Sequence, residues 1–435
     1  MGQKIAVLGG GISGLCLAFY LKKYAPQDQI VLLEKSSKVG GVIDAVSHGS
    51  MIFDQGPKTL RKSTGQDLLE LIEQLGLSKK LLVAPSNQPR YIFYQNALQK
   101  LPASFWQMCS SPLTRKSLWA FVKEVFLPAC PQKDVSVGDF ARKHFGNFCA
   151  DYIFEPFIRG ICGADMEQLS MRCCFPGLLS LEQEYGSIIQ GMIKTRKASD
   201  KSLFNLQGGL VSLVRALSEC GSFRVLYNQH IQSLKQESNQ VQVVTQEGVA
   251  KYDQVFCTLP LYALQPMLEP SELAKHQVFD KISYESLTAV SCAFEEDVLL
   301  QKGFGYLVPK KENQPIYGAL FDSCIFPNLD QSHMCKLTMM MPQSPEHVAK
   351  ELAMSMLKKH LKISAAPAHM HVFHYIKALA CYPVHFQEYL EDFLSLLQIQ
   401  YPNIVLCGNY QHPPGVNYCV KFSKQIAKQH RGVTC

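Results

Sequence analysis

Six residues, Gly9-Gly10-Gly11-Ile12-Ser13-Gly14, satisfy the spacing G-x-G-x-x-G, and the chemistry such a spacing serves is the binding of a diphosphate. The first glycine makes a tight turn, the second lets backbone N–H groups approach a pyrophosphate, and the third lets a helix pack closely on a strand. An anion seated there meets the positive end of the helix dipole. Glu34, about twenty residues further on, supplies the acceptor that a ribose hydroxyl needs. These residues require a frame to hold them. Ile5 to Gly9 reads as a buried strand, Leu15 to Tyr24 as a helix, and Ile30 to Leu33 as a second strand that ends at Glu34. The order makes a βαβ unit, so a dinucleotide ligand is expected.

Length and composition set the outer bounds. A chain of 435 residues with 47% apolar and 18% charged content has room for two or three packed units and shows no sign of disorder. The formal charge of +7 and a pI near 8.6 allow anionic substrates or a phospholipid surface, but lack the dense basic stripe of a nucleic-acid binder. The sixteen cysteines are scattered, several within apolar runs (Cys16, Cys257, Cys407), which reads as reduced thiols in a cytoplasmic compartment. No cleaved signal is visible at the N-terminus, and no uninterrupted apolar run is long enough to span a bilayer. The nearest approach is Leu101 to Lys133, where Phe105, Trp106, Trp119, Phe121, Val122 and Phe126 are interspersed with Arg115, Lys116 and Lys123. Two readings stand for 101–134: an in-plane contact with the inner face of the cell membrane, or a helix packed on its own protein.

The residues after Glu34 narrow the ligand. An acid followed by Lys35, Lys38 and Gly40-Gly41-Val42 resembles the N-terminal signature of the flavin amine oxidase and protoporphyrinogen oxidase superfamily. In that superfamily the dinucleotide is FAD, and the resemblance implies an α/β fold: a Rossmann-type FAD-binding domain with a mixed-sheet substrate domain and a helical insertion. A Gly-Pro turn follows at Gly56-Pro57, and the resemblance places Gly56, Pro57, Lys58 and Thr59 against the cofactor. A second block from Val135 to Lys194 reads mostly helical and contains Glu155-Pro156, Gly160, Gly163-Ala164-Asp165, Leu169-Ser170-Met171, Phe175-Pro176 and Glu184-Tyr185-Gly186-Ser187. This succession resembles the protoporphyrinogen oxidase family, and amine oxidases do not share it. Within it, Gly160 and Gly163 allow close approach to a flat ligand, and Ser170 is placed as an N-cap.

Ile231 opens a strand that in relatives touches the adenine end of FAD, and strands with period-two patterning run from Lys281 to Met341. Near the C-terminus, Gly408-Asn409 and then Pro414-Gly415-Val416 before a helix resemble the second flavin-binding segment, where a helix N-terminus faces the ring and favours negative charge. The chain departs from the family there: Tyr418 stands where an aspartate is usual, Ser423 where a glycine is usual, and Pro413-Pro414 precede the helix. The implied domains are 1–86, 200–262 and 400–435 for FAD, 87–100 and 263–399 for substrate, and 101–199 for the helical insertion.

The resemblance implies six-electron oxidation of a porphyrinogen in haem biosynthesis, either protoporphyrinogen IX or coproporphyrinogen III, with non-covalent FAD and with dioxygen as acceptor. Arg90, on a hairpin of Arg90–Tyr94 and Ala97–Leu101, is the expected propionate clamp, because guanidinium pairs bidentately with carboxylate. Gly160, Phe304, Leu307, Leu320 and Met340 are the expected substrate wall. No catalytic base stands out, and the pyrrole N–H protons can leave by tautomerisation. His369, His371 and His374 lack the accompanying ligand spacing of a metal site. Expected partners are the tetrapyrrole, dioxygen, the membrane surface, a ferrochelatase receiving the product, and a second copy of the chain; nucleic acid is not among them. The rival readings on this fold are an amine oxidase, a carotenoid desaturase and a non-catalytic lipid carrier.

Overall fold

In the computed structural model, residues 2–102, 111, 113–114, 118–126, 134–195, 200, 202–268 and 271–432 are described. The glycine turn grows out of a five-stranded parallel sheet. Its centre is β1 (Lys4–Leu8), flanked by β2 (Gln29–Leu33) on one side and β14 (Gln254–Cys257) on the other, with β10 (Arg224–Leu226) and β20 (Ile404–Leu406) outside them. Ile5, Ala6, Val7 and Leu8 are all fully buried, as a strand covered on both faces must be. On one face lie α1 (Ile12–Tyr24) and α11 (Val416–His430), packed on each other, together with α8 (Val211–Glu219). The other face carries the antiparallel meander β11 (Ile231–Glu237), β12 (Gln240–Thr245) and β13 (Gly248–Tyr252), with Leu234, Val241 and Val243 in the shared core.

A second, seven-stranded sheet stands beside the first. Its order is β19 (His369–Cys381), β15 (Ser283–Phe294), β18 (Cys335–Pro342), β17 (Gly318–Leu320), β16 (Gly305–Leu307), β7 (Arg90–Tyr94) and β8 (Ala97–Lys100). The β16–β7 pair is parallel and the others are antiparallel. Its back is closed by α9 (Glu346–Leu361), whose Ala349, Ala353 and Leu357 pack on Val290, Leu337, Met339 and Phe321. Two small sheets join the halves: the hairpin β3 (Asp44–His48) with β4 (Met51–Gln55), and β5 (Leu60–Arg61), β9 (Leu203–Leu206) and β6 (Leu81–Val83) in the order β5-β9-β6. α2 (Gln66–Gln74) follows β5.

The helical block comprises α3 (Leu118–Glu124), α4 (Val137–Cys149), α5 (Glu155–Cys162), α6 (Pro176–Tyr185) and α7 (Ile188–Lys194). Ser170 does cap a short helix at Met171–Cys174, accepting from the Cys173 amide at 3.0 Å, and its hydroxyl donates to Asp134. α10 (Phe386–Gln400) has no counterpart in the sequence reading. Phe386, Leu390, Phe393 and Leu397 of α10 bury an i, i+4, i+7, i+11 stripe in the core shared with β14 and β20.

Candidate cofactor and substrate site

The cofactor half assembles at the carboxyl ends of the parallel strands, where open α/β sheets place their ligands. Gly9 follows β1, Glu34 follows β2, Thr258 follows β14 and Gly408 follows β20. A Cβ at Gly14 would collide with the Gly9 carbonyl oxygen, so the third glycine is required for α1 to pack on β1. A Cβ at Gly11, by contrast, would meet open space. The first turn of α1 has no acidic residue and no side-chain cap, which leaves its amides and dipole directed into that space.

The expected neighbours converge on this turn. Gly40 N–H donates to the Gly10 carbonyl at 2.8 Å, and Gly41 lies against Gly11. Glu34 accepts from Gly10 N–H at 2.6 Å and from Ser36 N–H at 2.8 Å, so its carboxylate is held at the glycine turn. Gln229 N–H donates to the Glu34 carbonyl at 2.8 Å, which brings the start of β11, at Ile231, to the same end. Two lysines point elsewhere. Lys38 pairs with Asp44 on the surface, and Lys35 is exposed.

The segment after β4 bridges the two halves. Gly56 has φ of 91°, and a Cβ there would press on the Val42 carbonyl, so a left-handed glycine lets residues 42 and 56 meet. Its N–H donates to the Tyr375 hydroxyl of β19 at 2.9 Å. The expectation that Lys58 serves the cofactor changes here. Its ammonium lies 3.1 Å from both Asp322 oxygens and bonds to Thr338, which ties the turn to the seven-stranded sheet, because a buried ammonium needs an anionic partner. Asn205 donates to the Lys58 carbonyl at 2.9 Å and to Asp54 at 3.0 Å. Burial pushes the Asp54 carboxyl up to about 6, against the lowering effects of Asn205 and Lys58. Its Oδ1 has no close hydrogen-bond partner among the described residues, and Asp54 lines a cavity of about 20 Å³, room for one water.

At the other end, α11 begins at Gly415. Asn417 donates to the Arg61 carbonyl at 2.9 Å and to Thr64 Oγ1 at 3.0 Å, fixing the first turn of α11 to β5. The departures from the family have local partners. Ser423 donates to the Ser13 carbonyl at 3.1 Å within the α1–α11 contact, and Tyr418 stacks on His412, which precedes the two prolines. Asn417 Oδ1 and His412 Nε2 are buried polar atoms without partners among the described residues. Orphaned polar atoms beside a helix start, at one end, and an open glycine turn at the other fit an elongated dinucleotide with a polar ring.

The residues expected to form the substrate wall lie on one face of the seven-stranded sheet. The register pairs Gly305 with Arg90 and with Leu320, Leu307 with Ile92 and Gly318, Leu320 with Thr338, and Gly318 with Met340. Paired residues point to the same side, so Arg90, Leu307, Leu320 and Met340 share a face opposite the α9 core. Arg90 lies 4.7 Å over the Phe304 ring, and Phe304 and Leu320 belong to one apolar cluster. Gly160 of α5 packs directly on Leu307, which seats the helical block over this sheet. Glu155 and Arg159 of α5 pair at 3.1 Å, and Arg159 donates to the Val308 carbonyl at 2.6 Å. His369 and His371 lie on one side of β19 and stack on His48 and Phe53 respectively; no group of three metal-ligating side chains occurs among the described residues.

Sequence reasoning gave no role to Asp54, Thr258, Asn205, Asp322 or Tyr375. Thr258 was the most accessible of these, since it directly follows an apolar strand; its hydroxyl donates to the Leu8 carbonyl at 2.8 Å, beside the glycine turn. The profile of the family described as flavin containing amine oxidoreductase matches residues 12–427. The chain belongs to that family. Its cofactor is FAD, and it is an FAD-dependent oxidoreductase.

Among curated proteins, this amine oxidoreductase family member is similar to the protoporphyrinogen oxidase of Bos taurus, 28% identical with 99% of each chain covered. It is also similar to that of Homo sapiens, at 27% with 98% of each covered, and to protoporphyrinogen oxidase 2 of Arabidopsis thaliana, at 26% with 94% and 90% covered. A crystal structure from Exiguobacterium sp. 255-15, provisionally assigned as a protoporphyrinogen oxidase, superposes over the whole of both chains with a TM-score of 0.87 at 20% identity. Cyclohexylamine oxidase from Brevibacterium oxydans IH-35A superposes with a TM-score of 0.75 at 13% identity, covering 99% of each chain. These two show the shared fold.

Proposed function

We propose that the protein oxidises a porphyrinogen to a porphyrin in haem biosynthesis, removing six electrons and six protons in three two-electron cycles, each closed by dioxygen. The observation that carries this reading is the sheet face on which a single arginine, Arg90, heads an apolar surface of Leu307, Leu320 and Met340. Such a face suits a flat macrocycle with carboxylates at one edge. Similarity to protoporphyrinogen oxidases over 94–99% of the chain supports it.

FAD would be held non-covalently by Gly9–Gly14, Glu34, Gly41–Val42, Gly56, Pro57, Thr59 and the Gly408–Val416 segment, and would supply a two-electron acceptor. The protein's own task is positioning. Arg90 holds a propionate, Gly160 lets α5 cover the wall at Leu307, and the apolar face excludes water from the reacting carbon. Asp322 is engaged by Lys58 and Glu155 by Arg159, so neither of these two carboxylates is free to act as a base. Loss of the pyrrole N–H proton by tautomerisation requires none. Anaerobic mixing of the FAD-loaded protein with protoporphyrinogen IX and with coproporphyrinogen III tests the reading. Bleaching of the flavin absorbance by at least one of them is expected. Bleaching by primary amines, and by neither porphyrinogen, would overturn it.

A further inference from the structure

The glycine turn is held from across the sheet by a side chain outside the motif. Thr258 follows β14, the strand that pairs with β1 on the side away from β2. Its N–H donates to the Leu8 carbonyl at 3.0 Å, and its hydroxyl lies 2.8 Å from the same carbonyl oxygen and 3.3 Å from that of Gly9. A hydroxyl has one hydrogen, so the two carbonyls share it in a three-centre bond. A Cβ on Gly9 and a Cβ on Gly14 would each lie 3.0 Å from this oxygen, inside ordinary van der Waals contact. The first and third glycines of the motif therefore leave the notch that the hydroxyl fills.

The consequence lies in where the carbonyl dipoles point. The Gly9 carbonyl is turned to Thr258 and the Gly10 carbonyl to the Gly40 N–H at 2.8 Å, so both are occupied within the protein. A carbonyl oxygen directed at a phosphate would repel it, whereas N–H groups attract it. With both carbonyls held back, the open space beside Gly11 is left to the uncapped amides of α1. From the β2 side, Leu33 and Glu34 fix the N–H groups of Gly9 and Gly10 at 2.9 Å and 2.6 Å. Thr258 supplies the matching restraint from the β14 side.

We propose that Thr258 is a positioning residue for the cofactor diphosphate: its hydroxyl, lodged between Gly9 and Gly14, holds the glycine turn in the form that presents the amides of α1 to the anion. Thr258 acts through the turn and needs no contact with the cofactor. The assignment concerns the dinucleotide half of the site and stands whichever substrate is oxidised.

Thr258→Val keeps the shape of the side chain and removes its hydroxyl. In the full-length FAD-loaded protein, release of FAD on dilution, followed by recovery of flavin fluorescence, gives the dissociation constant. The Val variant is expected to bind FAD about 5- to 10-fold more weakly, the range for one lost intramolecular hydrogen bond. ADP, which carries the diphosphate without the flavin ring, competes with FAD, and its inhibition constant is expected to rise by the same factor. The visible spectrum of the bound flavin is expected to match wild type, because the hydroxyl acts on the diphosphate and not on the ring. Thr258→Ser, which keeps the hydroxyl and drops the methyl group, is expected to restore both constants. If the Val variant does not fold, Thr258→Ala removes the same hydroxyl and is read in the same way. Wild-type affinity in the Val or Ala variant, equal weakening in the Ser variant, or weaker FAD binding with no change for ADP overturns the assignment.

Discussion

Asp54 is almost wholly buried, with one oxygen on Asn205 and the other without a close partner among the described residues. Its carboxyl rises from the ordinary 3.8 to about 6 because burial disfavours the charged form. The native state therefore holds a proton that the unfolded chain releases between those values. Stability falls as pH rises through that window, and above about pH 6 the whole loss, about 3 kcal/mol, is present. Asp54→Asn removes the charge, keeps an acceptor for Asn205 and adds a donor toward the cavity. The variant should be more stable than wild type by about 2 kcal/mol at pH 7.5 and show a flatter profile from pH 4 to 6.5 in urea unfolding. A variant less stable at pH 7.5 with an unchanged profile would show that the carboxylate is compensated. Nothing in the local sequence MIFDQGP marks this residue, because its environment comes from β9 and α8, about 150 residues away. The glycine turn was legible for the opposite reason: its function lies in the backbone of consecutive residues.

The helices of the insertion show how an apolar surface is held open to solvent. Glu124, at the end of α3, is fully buried and accepts the Ser187 hydroxyl at 2.6 Å and the Ile188 amide at 2.7 Å, so it caps α7 from a distance. His144 of α4 lies 3.3 Å from Glu124 and 3.2 Å from Glu182, and Lys143 pairs with Glu182 at 3.0 Å. This polar joint fixes α3 while Trp119 and Phe126 remain 76% and 83% exposed, with Val122 between them. The other residues of the expected membrane segment, Phe105, Trp106, Arg115, Lys116, Leu127 and Lys133, lie outside the described residues. No described helix is long and apolar enough to cross a membrane. α3 packs on the protein through Glu124 and Phe121 and exposes Trp119 and Val122 beside Lys123, the surface that an in-plane membrane contact would use. We predict sedimentation with anionic phospholipid vesicles, weakened roughly tenfold or more by the double change Trp119→Ser and Phe126→Ser, each of which removes about 1.5–3 kcal/mol of apolar burial. Equal sedimentation of both proteins would return α3 to an ordinary surface helix. The mixed residue pattern of 101–134 announced an amphipathic surface, but its anchor to Ser187 and His144 spans separations of 20 to 64 residues and left no local sign.

At the scale of the molecule, the architecture was legible where one strand or helix reports its own burial: the βαβ start and the hairpin at residue 90. It was less so where burial is shared among distant segments, as for α10 and the joining sheet β5-β9-β6. The same sharing makes cofactor binding a stability determinant. The proposed FAD site draws on residues 9–14 and 34–42 near one end of the chain and 408–416 near the other, while Lys58 and Tyr375 link the turn at Gly56 to the seven-stranded sheet. A ligand that binds only the folded chain adds RT ln(1 + [L]/Kd), about 2.7 kcal/mol at a hundredfold excess over Kd. For a chain of this length that corresponds to a rise in melting temperature of roughly 3 °C. Replacing Lys58 by Met leaves Asp322 buried beside Thr338 without its cation, and should lower the melting temperature of both the apo and FAD-loaded protein while the increment on adding FAD stays near its wild-type value. If the increment vanished with the apo stability unchanged, Lys58 would be a cofactor ligand and not the tie between the two sheets.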